Sequence, residues 1–351
     1  MNNYTIIKSC LKAFVDKSIT IPTFQDSSIE ELAKRHFVAP IIKYVCGNYD
    51  AAEGMKNRQK HYQRLKECND IFQLLDSNAI PYSVIKGAYL EKIAYKNKGL
   101  RASNDIDILI RKKDYTHVRE IFLGNEFSCV TFDWRQNKHV EGTREKILFN
   151  QLYTHQCCGF LKEETKVDIN LSISWGEDDK GSAMSDSLID KVRIVDYDGI
   201  SYKVFVPEVF LLQECLHSYR DMNSILLIKK EKYKLIRLCD VYYYIVNDQE
   251  KIDADLFINF VKETGYVKPI YHILYDVSEC FGSNDWISYV MEAIEPVDKD
   301  FINSFGLSEN EMKPWPIDFE KRILSVHLFN EIEHLLTEED LEKMNSIIVN
   351  M

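Results

Sequence analysis

The stretch from residue 81 to 110, PYSVIKGAYLEKIAYKNKGLRASNDIDILI, constrains the fold more than any other part of the chain. A short apolar run (Tyr82 to Ile85) meets Lys86–Gly87, a helix-like segment follows, and the chain then enters D-I-D-I-L-I. Side chains alternate across a strand, so Asp105 and Asp107 project to one face and Ile106, Ile108 and Ile110 to the other. Two carboxylates about 7 Å apart on one face repel each other unless water, a base or a cation lies between them. Such a pair suits a divalent ion, and a divalent ion suits phosphate chemistry. The plain alternative is a solvated strand edge whose acids form salt bridges, with Arg111 and Lys112 following directly.

The rest of the chain narrows the choice. Its 351 residues point to two or three domains, and 45% apolar against 28% charged residues allows a sizeable core. A net charge of −11 argues against wrapping a long nucleic acid, which needs a concentrated basic surface. A basic pocket for one nucleotide stays compatible with it. Nine scattered cysteines show no C-x-x-C and no zinc-ligand spacing, which reads as a reducing compartment. Lys8 and Lys12 interrupt the first apolar stretch, so no secretion signal is read there, and no window reaches the roughly 18 apolar residues of a membrane span. The expectation is a cytoplasmic protein.

Three regions are expected: helical residues 1–77, a mixed region 78–206, and a helical region 207–351. Ser28 with Glu31 forms a capping-box pattern, Pro40 should bend or end the helix that follows, and a helix is expected over 57–76. In the middle region strands are expected at 82–86, 105–111, 127–133, 149–157, 165–174 and 202–206, with helices at 87–95 and 113–123. The polar stretches 133–146 and 176–187 read as loops fit to be a flap. Pro207 opens a helical series with expected members at 230–248, 253–264, 267–281, 285–294, 318–333 and 338–347, the last capped by Thr337 and Asp340.

Four elements of the middle region form one constellation. Lys86–Gly87 ends a strand and begins a helix, where glycine lets a ligand approach the backbone and free N–H groups favour phosphate. Arg101, with Ser103 and Asn104, precedes the Asp105/Asp107 pair. Asp168, in KVDINLSISW, is a third carboxylate in a strand-like run. Its plain alternative is a pair with Lys166. Downstream, Lys230, Lys234 and Arg237 fall at i, i+4 and i+7, which reads either as a face that covers a triphosphate or as a solvated charged face. His217 lies on an apolar helix, as a core histidine or a cleft residue, and Asp240 is expected to orient a partner such as that histidine. His139 and His155 give no ligand spacing.

These residues resemble the polymerase-β-like nucleotidyltransferase superfamily, and most closely a bacterial family of uncharacterised nucleotidyltransferases whose turn reads Lys-Gly, then an Arg, then D-I-D and two hydrophobic residues. Lys86, Gly87, Arg101, Asp105 and Asp107 carry the resemblance. AKRHFVAP (33–40), VDIN around Asp168, PEVFLLQECLHSYR and RLCDVYYYI extend it over roughly 28–250. Two features depart from the pattern: Asn170 follows Ile169 where a His-Trp is common, and Ala88 replaces a serine that often contacts phosphate.

The resemblance implies an α+β fold, a palm of mixed sheet and helices flanked by N-terminal helices and a C-terminal helical domain. It implies Mg²⁺, in two sites and with Mn²⁺ as the alternative ion, held by Asp105, Asp107 and Asp168. An NTP, ATP by default, would meet Lys86, Gly87, Arg101, Ser103, His217 and Lys234. The NMP would pass to a small molecule, peptide or protein, with neither a long nucleic acid nor a membrane as partner. Two other readings stay open: a catalytically silent nucleotide-binding or protein-interaction subunit, and phosphoryl transfer, which would release a nucleoside diphosphate.

Overall fold

Asp107 lies on an interior strand of a six-stranded mixed sheet. The computed structural model describes residues 2–21, 27–133, 138–153, 156–175, 179–247 and 251–350. The strands are β1 (Tyr82–Ile85), β2 (Ile106–Ile110), β3 (Ser128–Asp133), β4 (Lys138–Glu141), β5 (Gln156–Lys162) and β6 (Thr165–Asn170). They are ordered β1-β2-β6-β5-β3-β4, and only β2 and β6 run parallel. β7 (Val192–Tyr197) and β8 (Ile200–Phe205) form a separate antiparallel hairpin. The architecture is α+β. Among the described residues no helix is long and apolar enough to cross a membrane.

The chain divides into two compact units. The first comprises Met1–Gly54, Ile93–Tyr95 and Glu214–Met344, and the second comprises Met55–Lys92, Lys96–Gln213 and Asn345–Met351. All eight strands named above belong to the second unit. Its core is aromatic beside β1 and β5: Phe72 stacks on Tyr82 at 5.7 Å, and Phe122 on Phe160 at 4.5 Å. These four rings are at most 1% exposed, and burying each contributes roughly 1.5–3 kcal/mol. Every residue of β2 is buried, because both faces of an interior strand are covered.

The first unit is mainly helical. Pro40 stands in the first turn of helix Ala39–Val45, after helix Ser27–Arg35 has ended, so it starts a helix instead of breaking one. Phe14 packs on Tyr243 at 4.8 Å and Tyr242 on Phe281 at 4.4 Å. The Thr337 cap is present, with the Thr337 N–H donating to Asp340 and the Asp340 N–H donating to the Thr337 hydroxyl.

Several elements differ from expectation. Residues 149–157 were expected to form a strand, but Arg144–Tyr153 is a helix and β5 starts at Gln156. Thr143 accepts from the Lys146 N–H at its start, and a short apolar run such as ILF does not by itself choose between the two periods. Within the stretch read as loop 133–146, Lys138–Glu141 is the edge strand β4, whose polar residues suit an exposed edge. Within 176–187, helix Asp179–Leu188 buries Met184 and Leu188. Residues 134–137 and 176–178 of those stretches, and His155, lie outside the described residues. The expected helix 57–76 breaks at Cys68, into Ala51–Glu67 and Asn69–Ser77. The expected helix 230–248 is shorter, Leu235–Ile245, and Glu231 in the left-handed region (φ 54°) stands between it and the preceding helix Ile225–Lys229. The expected helix 318–333 is likewise two, Phe319–Leu324 and Leu328–Ile332.

Candidate active site

The turn after β1 sets the geometry. Lys86 and Gly87 both have positive φ (63° and 33°), an unusual pair that reverses the chain directly into helix Gly87–Ile93. Lys86 Nζ thereby reaches Asp107 Oδ1 at 2.8 Å. Gly87 is required for space as well as for φ, because a Cβ there would stand 2.8 Å from Ser103 Oγ. The Ser103 hydroxyl donates to the Asp105 carbonyl at 3.0 Å and lies 3.3 Å from Asp105 Oδ1.

Parallel pairing brings the third carboxylate in. Asp107 and Asp168 are register partners across β2 and β6, and Gly159 of β5 is the partner of Asp168 on its other side. Lys166 Nζ contacts Asp168 at 2.6 Å and Asp105 at 3.8 Å, so one ammonium group serves both acids. Asn170 Nδ2 donates to Asp107 Oδ1 at 3.0 Å. Asn170 is 1% exposed and stands where the resemblance leads one to expect histidine, so the departure supplies a neutral donor to the buried acid.

Electrostatics separate the two buried acids. Burial alone would raise the Asp107 carboxyl, but Lys86, the Asn170 amide and Lys166 outweigh it and hold it below the usual carboxylate range. For Asp168 burial wins, with Asp107 and Asp105 adding to it against the pull of Lys166, and its pKa rises to about 6. Burial works against the charge on Lys166, yet Asp168 and Asp105 dominate and raise its pKa. The site thus holds one firmly ionised acid beside one poised to take a proton.

Three hard oxygen donors of this kind suit Mg²⁺. Lys166 shows that Asp105 and Asp168 already converge on one cationic centre. Among the described residues no three His, Cys, Asp or Glu side chains stand together at metal-holding positions. The donor set therefore fits a metal ion in its chemistry, and admitting one requires the ammonium groups to yield their places.

The loop before Asp105 is clamped by residues that the sequence reading passed over. Glu91, fully buried, accepts from the Gly99 N–H and from the Arg101 N–H at 2.6 Å for the latter. From helix Ala51–Glu67, Asn57 donates to the Gly99 carbonyl, Arg58 to the Asn97 carbonyl and Arg64 to the Ser103 carbonyl at 2.6 Å. Asn57, His61 and Arg64 recur at i, i+4 and i+7, a polar stripe that was the available signal. Arg101 itself is half-buried, and its Nη1 donates to the Ala102 carbonyl.

The candidates outside this cluster belong to the first unit. His217 Nε2 pairs with Asp221 at 3.1 Å. Asp240 accepts from the Tyr95 hydroxyl at 2.6 Å and lies 3.8 Å from Arg237. The register i, i+4 places the histidine partner on its own helix. Lys230, Lys234 and Arg237 do not share one helical face, since Lys230 and Lys234 flank the break between two helices.

A mixed sheet with Asp105 just before β2, Asp107 on β2 and Asp168 beside it on parallel β6 has the architecture of a nucleotidyltransferase palm. The chain belongs to the family described as uncharacterised nucleotidyltransferase, whose model matches residues 32–282. Comparison with curated proteins gives no match.

Proposed function

We propose that the chain moves an NMP from an NTP, ATP by default, to a hydroxyl or phosphate oxygen of a small molecule, peptide or protein. The observation that carries this reading is the convergence of Asp105, Asp107 and Asp168 around two lysine ammonium groups. Asp105 and Asp107 would hold Mg²⁺ or Mn²⁺ on the nucleotide, supplying Lewis-acid neutralisation of phosphate charge, and Asp168 would either hold a second ion or, left without one, take the acceptor's proton.

In this mechanism Lys86 exchanges Asp107 for a triphosphate oxygen, carrying its point charge to the nucleotide. The bare Cα of Gly87 admits the phosphates to the backbone, and Ser103 and Arg101 border them. For a hydroxyl acceptor, the oxygen bonds to the α-phosphorus while the bond to the β-phosphate oxygen breaks. The acceptor proton passes to the Asp168 carboxylate, and pyrophosphate leaves with the bonding pair. Asp168 is suited to this by its raised pKa of about 6. His217 and Lys234 belong to the other unit, and the mechanism does not draw on them.

The test is pyrophosphate release from NTP with candidate acceptors and Mg²⁺, for the wild type and for Asp105→Asn/Asp107→Asn and Asp168→Asn. Turnover confined to the wild type supports the reading. Nucleoside diphosphate as product would mean phosphoryl transfer instead. The pairing of the three acids with Lys86 and Lys166 favours one second reading, a silent subunit that binds nucleotide and lacks turnover. Saturable NTP binding without any product would select it.

A further inference from the structure

A second concentration of charge lies wholly within the first unit. Arg35, Tyr233, Lys234 and Arg322 line a cavity of about 20 Å³, with His36 beside them. Glu231 and Val326 also line it and are solvent-exposed, so the cavity opens to the surface. Arg322 is 3% exposed, its guanidinium lies 5.1 Å from the rings of Trp315 and Phe319, and its Nε and Nη1 have no hydrogen-bond partner. Arg35 spends Nη2 on the carbonyls of Ile323 and Leu324, leaving its buried Nε without an acceptor. The Tyr233 hydroxyl is buried and unpartnered in the same way. Lys234 is 8% exposed, and its ammonium lies 5.6 Å from the Phe37 ring with no carboxylate within 4 Å among the described residues.

His36 adds no charge to this group. Its Nε2 donates to the Ile323 carbonyl at 2.8 Å and its Nδ1 accepts from the Leu235 N–H, while burial pushes its pKa down to about 3. Glu231 is the one acid lining the cavity, and its side chain is 60% exposed beside His327. Among the lining residues three cations stand against one carboxylate, an excess of two positive charges, with buried Asp276 acting on Tyr233 from outside the lining. Burial pushes the pKa of Arg35 and of Lys234 down, and buried donors without acceptors are costly unless something satisfies them. Water would satisfy a donor and leave the charge.

We propose that this cavity seats a phosphate dianion, one oxygen entering a space that holds about one water-sized atom. Guanidinium and ammonium donors suit a phosphate oxygen, and a dianion balances the net charge of the lining where a single carboxylate or chloride would leave half of it. Free phosphate and the phosphate of an organic monoester share this chemistry. The inference rests on the first unit alone and stands whether or not nucleotidyl transfer occurs at the carboxylates.

The test is isothermal titration of inorganic phosphate and of AMP into the full chain without magnesium. It is run in the wild type, where Asp107 and Asp168 keep Lys86 and Lys166 paired and so withhold those ammonium groups from the probes. Saturable binding is expected, weakened about tenfold or more by Lys234→Met, which removes a charged donor. Tyr233→Phe removes only a hydroxyl, keeps the packing, and should weaken binding severalfold with an unchanged circular dichroism spectrum. Tighter binding of AMP than of phosphate assigns the seat to a monoester, and the reverse assigns it to inorganic phosphate. Absence of binding by both probes, or affinities unmoved by both substitutions, overturns the proposal.

Discussion

Gly159 and Asp168 face each other across β5 and β6 so closely that a Cβ on residue 159 would lie 2.8 Å from Asp168 Oδ1. The absence of a side chain is what leaves room for the carboxylate, and a register shift between Gln156 and Gly159 adjoins the same place. Gly159→Ala should push the carboxylate off its contact with Lys166. The expected result is a loss of about 1–3 kcal/mol of stability, typical of overpacking, and a larger proportional loss of Mg²⁺-dependent NTP turnover. Urea denaturation and pyrophosphate release read the two effects separately. Unchanged turnover would show that Asp168 need not hold this position.

Asn170 makes a second independent prediction. Its amide is the neutral donor to Asp107, beside the charged donor Lys86. Asn170→Leu keeps approximate volume and deletes the hydrogen bond, leaving a buried acid with one partner fewer. A cost of about 1–3 kcal/mol is expected in urea denaturation. Asn170→Asp should do worse than leucine, because a like charge beside Asp107 disfavours ionisation of both acids. Equal stability of the two variants would mean that the amide serves packing alone.

The acidic strand and the lysine–glycine turn were legible because their meaning is local: alternation along β2 and a strand-to-helix reversal are properties of a few consecutive residues. The partners that hold them were less legible. Arg64 reaches the Ser103 carbonyl and Glu91 the Arg101 N–H, and nothing in the identity of residues 101 and 103 announces a backbone acceptor or donor in use. Gly159 matters only through the strand beside it. The hairpin β7–β8 was different. Its Asp198–Gly199 turn, with φ of 51° and 88°, carries a standard two-residue hairpin signal that the reading passed over. Polar β4 reads as a loop because an edge strand has little to bury.

Glu91 should make stability depend on pH in the direction opposite to an ion-paired acid. Burial raises its pKa from an ordinary 4.5 to about 7, against the pull of the backbone N–H groups of residues 99–101 and the charge of Arg101. Between those values the folded chain holds a proton that the unfolded chain has released. Its contribution is therefore present below the unfolded pKa and is lost as pH rises through about 7. Relative to Glu91→Gln, which does not titrate, the wild type should lose on the order of 3 kcal/mol across that window. Urea denaturation of both proteins over the window measures the difference. A difference independent of pH would show that the N–H groups keep Glu91 ionised throughout.

In the first unit, Asp221 binds two guanidinium groups and an imidazole: Arg237 at 2.7 Å, Arg220 at 3.0 Å and His217 at 3.1 Å. At 4% exposure it is too buried to behave as a surface pair, whose contribution is about 0–1 kcal/mol. Removing one member of a buried ion network leaves the others uncompensated, so Asp221→Asn should cost about 3–5 kcal/mol. Burial opposes its charge, but His217, Arg237 and Arg220 prevail and hold the carboxyl well below the usual range. For a depressed acid the stabilisation is present above the unfolded pKa and is lost as pH falls through the folded one. The gap between wild type and Asp221→Asn should therefore be widest near neutrality and narrow in acid. Urea denaturation at neutral and acidic pH tests both the size and the sign, and a gap that grows on acidification would contradict the network.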